Sequence, residues 1–339
     1  MQYFKHSLWV TAVGLILAFY IGSFSALYIV ALLAILEISL SFDNAVVNAK
    51  VLETMEPKWQ KRFITFGIPV AVLGMRFIFP ILIVAIASGM SIEHTFEMAL
   101  HDSSSYHSRL QGVEHLIFAF GGSFLLMVFL NFILDTERED QWIKSIENSK
   151  IIMRMSQVSS IHMLMAVVIG VVLFLATTLT SDLNYKVTVA YFIGVALYSL
   201  IASLDNVFNV NGVRSGIMGF LYLEILDASF SFDGVIGAFA LSSDVFIIMI
   251  GLGIGAMFVR SLTLYMLEKK TLAEYRYLEH GAHYAIMALA VIMLIKIFFH
   301  IDELIIGTIG ISFIAVAIYH SVQANKNLVM EEQKSDTKE

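Results

Sequence analysis

Two short acidic stretches, LEISLSFDNAVV at residues 36–47 and LDASFSFDGVIG at residues 226–237, hold the side chains best suited to chemistry in this chain of 339 residues. Glu37 and Asp43 recur in register as Asp227 and Asp233, while Ser39, Ser41 and Phe42 recur as Ser229, Ser231 and Phe232. Glu224 adds a fifth acid three residues before Asp227, a spacing that puts the two on one helical face. All five stand in apolar surroundings. A charged acid at the centre of a membrane helix costs about 2.5–3.5 kcal/mol, so five cost on the order of 12 kcal/mol, comparable with the whole stability of an ordinary domain. They must face inward, toward basic groups, protons or a metal ion.

The oxygen chemistry on offer is carboxylate, the Asn44 carboxamide, serine hydroxyl and freed backbone carbonyl, and the chain has no cysteine. Such a set suits a hard or borderline dication such as Mn²⁺, Mg²⁺ or Ca²⁺. Intramembrane carboxylates also relay protons, so the same residues can exchange a metal against H⁺. On a straight helix Glu37 and Asp43 lie about 9 Å apart along the axis and about 120° apart around it, too far to share an ion. Ser39, Ser41, Asn44 and Gly234 are weak helix formers. A local break is therefore expected in both copies, as in the discontinuous helices of transporters.

Three bases, Arg76, Arg260 and Lys296, fall within apolar runs and are expected to pair with the acids in the membrane. Five acids against three bases leave two carboxylates for a dication or for protons. Two Glu-His pairs, Glu114–His115 and Glu279–His280, are read at helix starts, where acids favour the positive end of the helix dipole, as an access gate or an outer layer around a metal. Asp205, in SLDNVF, is read as an interface cap, and His162 and His283 as packed side chains.

The elements that must position these residues are legible in the composition. With 58% hydrophobic and 14% charged residues and a mean hydropathy of +0.80, the chain reads as an integral, polytopic, all-α membrane protein. Ten apolar runs of about bilayer-spanning length are counted. They divide into a first helix (1–24), a first transmembrane repeat (25–136), a cytoplasmic linker (137–157), a connecting helix pair (158–214), a second repeat (215–299), a last helix (300–322) and a disordered tail (323–339). The first run resembles a signal-peptide core followed by GSFSA, and an uncleaved helix is preferred. The linker is read as a solvated, partly helical surface segment. One set of loops and tails holds fifteen Lys and Arg residues and the opposite set holds Arg109 and Lys186, which places both termini in the cytoplasm, in a bacterial inner (plasma) membrane. The two acidic motifs then enter the membrane in opposite directions, the inverted repeat common among secondary transporters.

Several classes drop out. No basic patch supports nucleic-acid binding, and thiolate catalysis and disulfides are excluded by the absence of cysteine. An intramembrane aspartyl protease, which would use two aspartates as acid and base, is kept as the least favoured alternative, because its Gly-x-Gly-Asp signature is missing and GLGIG at 251–255 has no acid. No enzyme activity and no resident cofactor are expected.

The motif LEISLSFDNAVV, with LEILDASFSFDGVIGAFALSSDVFIIMIGLGIGAMFVRSLTLYML and YLEHGAHYAIMALAVIMLIKI downstream, resembles the TerC family within the LysE-like group of membrane exporters, over residues 25–136 and 215–299. The resemblance implies Mn²⁺ efflux or tellurium-compound resistance. It implies Glu37, Asp43, Asn44, Glu224, Asp227 and Asp233 as metal residues, and Lys296 at a position the family tends to keep as lysine. The run after Asp233, Gly-Val, and the extra helices at 158–207 depart from the family pattern. The expected cargo is a divalent ion with Mn²⁺ favoured, and the expected partners are that ion, H⁺, membrane lipid and, in a homo-oligomer, further copies of the chain. The alternative is a tellurium-resistance-type or metal-delivery protein without flux.

Overall fold

The computed structural model describes residues 3–135, 138, 140–158, 160–180, 184–208, 216–242 and 244–336, with the side chains of 64–69, 71–72, 75, 180, 184, 205–208, 232–233, 240, 303–304 and 328–336 outside that description. In chain order the helices are α1 (Lys5–Leu40), α2 (Phe42–Glu53), α3 (Pro57–Pro69), α4 (Phe79–Ser88), α5 (Ile92–His101), α6 (Ser103–Ile133), α7 (Lys144–Glu147), α8 (Lys150–Met155), α9 (Ile161–Thr180), α10 (Asn184–Phe208), α11 (Gly216–Leu241), α12 (Val245–Lys269), α13 (Thr271–Glu274), α14 (Leu278–Lys296) and α15 (Glu303–Asp336). A π-helix, Val70–Ile78, joins α3 to α4. The protein is an all-α membrane bundle.

Among the described residues seven helices, within α1, α6, α9, α10, α12, α14 and α15, are long and apolar enough to cross a bilayer. A helix exposed to lipid must satisfy its own backbone, which explains why these runs fold as they do. The helix α11 is as long, at 26 residues, but carries Glu224, Asp227 and Asp233. Burial sorts the elements. The helices α6, α12 and α14 form the middle, whereas α1, α9, α10 and α15 turn large apolar side chains such as Trp9, Tyr20, Phe24 and Leu179 outward. In water that surface would aggregate, and in lipid it is the correct one.

A seam of small residues brings α12 against the second half of α1. A Cβ added at Gly251 would stand 2.6 Å from Leu33 Cβ, and one at Gly255 would stand 2.5 Å from Glu37 Cβ and 2.9 Å from the Ala34 carbonyl oxygen. The spacing is Gly-xxx-Gly, which lets two membrane helices approach backbone to backbone. The glycines at 251–255 therefore fix the position of Glu37.

The expected break in the first motif is present. Helix α1 ends at Leu40, Ser41 takes φ −104° and ψ 18°, and α2 begins at Phe42. The Ser41 hydroxyl donates to Glu37 Oε1 at 2.9 Å instead of rejoining the backbone. The matching break at Gly234 is absent: α11 runs unbroken through its motif, and Ser229 returns its hydroxyl to the Ile225 carbonyl within the helix, 3.0 Å away. The runs at 7–22 and 25–51 meet in a kink at Gly22–Ser23, where Ser23 has φ 60°.

Two further expectations, for the tail and for the linker, are corrected. Helix α15 continues to Asp336, so residues 323–336 are helical and not disordered. Asn325 anchors that extension by donating to the Glu274 carbonyl at 2.8 Å. The linker is docked and not merely solvated, because the side chain of Glu147 is buried against the bundle.

The Gly seam makes a stability prediction. Gly255→Ala should destabilise by about 1–3 kcal/mol through overpacking, read as a lower melting temperature in detergent. Gly112→Ala, where a Cβ meets nothing within 4 Å, is the control. Equal melting temperatures for the two variants would mean that α1 and α12 are not in the close contact described.

Candidate functional site

Four of the expected residues converge. Glu37, on the last turn of α1, meets Arg76 of the π-helix through Oε1 in a very short ion pair. The same guanidinium reaches Asp227 Oδ2 of α11 at 3.5 Å. Asn44, on the first turn of α2, donates from Nδ2 to Asp227 Oδ1 at 2.6 Å. The position after the aspartate in the second motif is Gly234, and a Cβ there would stand 2.9 Å from Glu37 Oε2. The contacts are reciprocal: the leading acid of each motif meets the Asn or Gly position of the other. The glycine leaves the room that Glu37 fills.

The π-helix that carries Arg76 has a covalent cause. Pro80 offers no N–H, and in a regular α-helix its ring would crowd the carbonyl four residues earlier, which belongs to Arg76. A wider turn relieves that clash, and π segments cluster at functional sites.

Around Arg76 the cavity is lined by Asn48, Glu224, Asp227, Arg260 and Thr263, with Phe63 as its apolar wall. Its volume is about 20 Å³, room for one water-sized species. Asn48 Oδ1 and Glu224 Oε1 are buried there and accept no hydrogen bond among the described residues, Asp227 Oδ2 has only the 3.5 Å contact to Arg76, and Arg260 Nε is a buried donor without an acceptor among them. The three oxygens are acceptors set beside the guanidinium groups of Arg76 and Arg260, so a further donor or cation entering the cavity would find ligands there. Arg260 is turned partly away: its guanidinium stacks 3.9 Å over the Phe63 ring and donates to the Phe63 carbonyl at 2.7 Å.

Asp43 lies apart. Its carboxylate takes the Asn44 backbone N–H at 2.9 Å at the positive end of α2, and it faces a second cavity of about 20 Å³ walled by Leu40, Phe230, Gly234 and Leu289. The break at Ser41 thus separates Glu37 and Asp43 where the sequence suggested it would unite them. Asp233 lies on α11, and its side chain, like that of Asp205, is outside the described residues. Among the described residues no group of three His, Asp or Glu side chains forms a ready metal-ligand set.

The remaining candidates sit elsewhere. Lys296 lies 4.8 Å over the Phe118 ring. Glu114 and His115 fall well inside α6, not at its start, so the dipole argument fails for them. Glu279 and His280 do open α14, where Glu279 pairs with Lys50 at 2.8 Å and His280 with Glu147 at 3.4 Å. His283 stacks on Phe132 at 3.8 Å, a packed histidine as read. Sequence reasoning missed Asn48, one turn beyond Asn44 on the same face of α2; that spacing was the available signal.

No curated protein and no solved structure is significantly similar to the chain. One family does match, over residues 42–328, from the helix that follows the Ser41 break to the last helix. The chain therefore belongs to the family described as "Protein of unknown function (DUF475)".

Proposed function

We propose that the protein is a membrane transporter for a divalent metal ion, with Mn²⁺ the favoured cargo, and that Arg76 is the tethered cation that holds the site when the ion is away. The observation that carries this reading is the convergence of three buried acceptor oxygens on one cavity beside a guanidinium: those of Asn48 and Glu224 have no donor among the described residues, and that of Asp227 has only the 3.5 Å contact to Arg76.

The charges support it. Counted as ionised, Glu37, Glu224 and Asp227 oppose Arg76 and Arg260, leaving the cluster one positive charge short. A dication added to that arrangement overshoots by one. With the Arg76 side chain withdrawn, the deficit becomes two and a dication neutralises it. Metal and guanidinium are then alternatives, and the exchange between them is the step that alternating access requires. A buried charge left without a partner is heavily penalised, so neither state tolerates an empty site. The oxygen donors suit a hard or borderline ion, and the likeness of the two motifs to the TerC family favours Mn²⁺.

Two tests follow from this. Protein reconstituted in liposomes should take up Mn²⁺, and Glu224→Gln or Asp227→Asn should cut the initial rate at least about tenfold, since an amide keeps the shape but loses the charge that a metal needs. Binding without flux in the parent protein would favour metal delivery or sensing instead. In the second test, Arg76→Ala should bind Mn²⁺ more tightly but turn over more slowly, and its melting temperature should rise more on adding metal than that of the parent. Mn²⁺ affinity unchanged by Arg76→Ala, and equally by Arg76→Lys, would remove the guanidinium from competition with the ion.

A further inference from the structure

The linker between α6 and α9 holds a buried carboxylate that the transport reading does not use. Glu147, on α7, accepts backbone N–H groups from Trp142 and Ile143, each at 3.2 Å, and the Tyr284 hydroxyl at 3.3 Å. His280 lies 3.4 Å and Arg138 3.8 Å from its Oε2. Burial pushes the Glu147 carboxyl up, but the hydrogen bond and charge of His280, the Ile143 amide and Arg138 outweigh it and hold the group below the usual carboxylate range. Neighbouring contacts fasten the same segment. Asp140 pairs with Arg276, its carbonyl meets His280 Nε2 at 3.0 Å, and the Trp142 indole donates to His320 Nδ1 of α15 at 2.8 Å.

His280 is adjacent to Glu279, which pairs with Lys50 on α2. The first turn of α14 therefore has the linker on one side and, on the other, the helix that carries Asn44 and Asn48. We propose that residues 140–147 form a cytoplasmic latch: Glu147 clamps the start of α14, and Glu279 with Lys50 passes that clamp to α2, keeping the acidic cavity closed at its inner end. A solvated linker would have no use for a carboxylate buried among five partners, since burying a charge is costly unless every lone pair is met. Helix α2 is short and separated from α1 by the Ser41 break, so a change in its tilt need not carry α1 with it.

The absence of cysteine makes the test direct. Thr263 lines the cavity on α12 and is buried, so Thr263→Cys reports its opening through labelling by a membrane-impermeant maleimide in inside-out vesicles. Labelling should be slow with the latch intact and about tenfold faster with Glu147→Gln. It should also be faster with Lys50→Glu, and adding Glu279→Lys to that variant should return it to the slow rate. The charge-reversed pair decides the matter even if Glu147 variants fold poorly, because it rebuilds one contact without touching the linker. Unchanged labelling in Lys50→Glu, or no return with Glu279→Lys, would overturn the latch. The readout is accessibility and not flux, so a failed latch leaves the transport reading standing, and absent flux leaves the latch standing.

Discussion

A guanidinium buried in the bilayer-spanning part of the bundle, between two carboxylates from distant segments, governs the rest of the structure. Arg76 joins Glu37 of α1 to Asp227 of α11, and both acids come from helices that would be hard to bury otherwise. Each local peculiarity nearby serves that junction. Glycines 251 and 255 press α1 onto α12 and fix Glu37, Ser41 ends α1 by bonding to the Glu37 carboxylate, and Asn44 turns back to Asp227. Had these acids been met only by apolar neighbours, the desolvation penalty would exceed what helix packing supplies.

Much of this was legible in the sequence. The apolar runs gave the helices, because backbone satisfaction in lipid leaves few alternatives, and the acids were identified as inward-facing because their solvation cost demands it. The weak helix formers after Glu37 predicted the break at Ser41. What could not be read was direction. A break rotates the chain beyond it by an angle that composition does not specify, so Asp43 turned toward Leu289 and Gly234 instead of joining Glu37. The second motif shares its serines with the first, and Ser229 bonds within its helix as its counterpart Ser39 does, while Ser41 bonds to the Glu37 carboxylate. Ser231, the counterpart of Ser41, has Asp227 at the same spacing yet makes no such bond among the described residues, so which serine reaches its acid is decided by the fold around it.

The linker was misread for a related reason. Its charges look like those of a solvated segment, and only the folded chain brings Tyr284, His280 and Arg138 around Glu147. A charged residue with several donors converging on it is invisible to periodicity. Asn48 escaped notice because a single asparagine on an apolar helix carries little signal unless its neighbour one turn earlier is already known to bind.

The π-helix around Arg76 has a mechanical corollary. A chain bonded from residue i to i+5 carries surplus length relative to an α-helix, and slipping that surplus along the axis trades one backbone hydrogen bond for another at each step. Successive α-helical residues are about 100° apart, so a slip of a single position sweeps the side chains it passes through a wide arc while the ends of the segment stay anchored. Val70–Ile78 thus sets Arg76 in a segment whose surplus length can be passed along the axis without melting the helix that bears it.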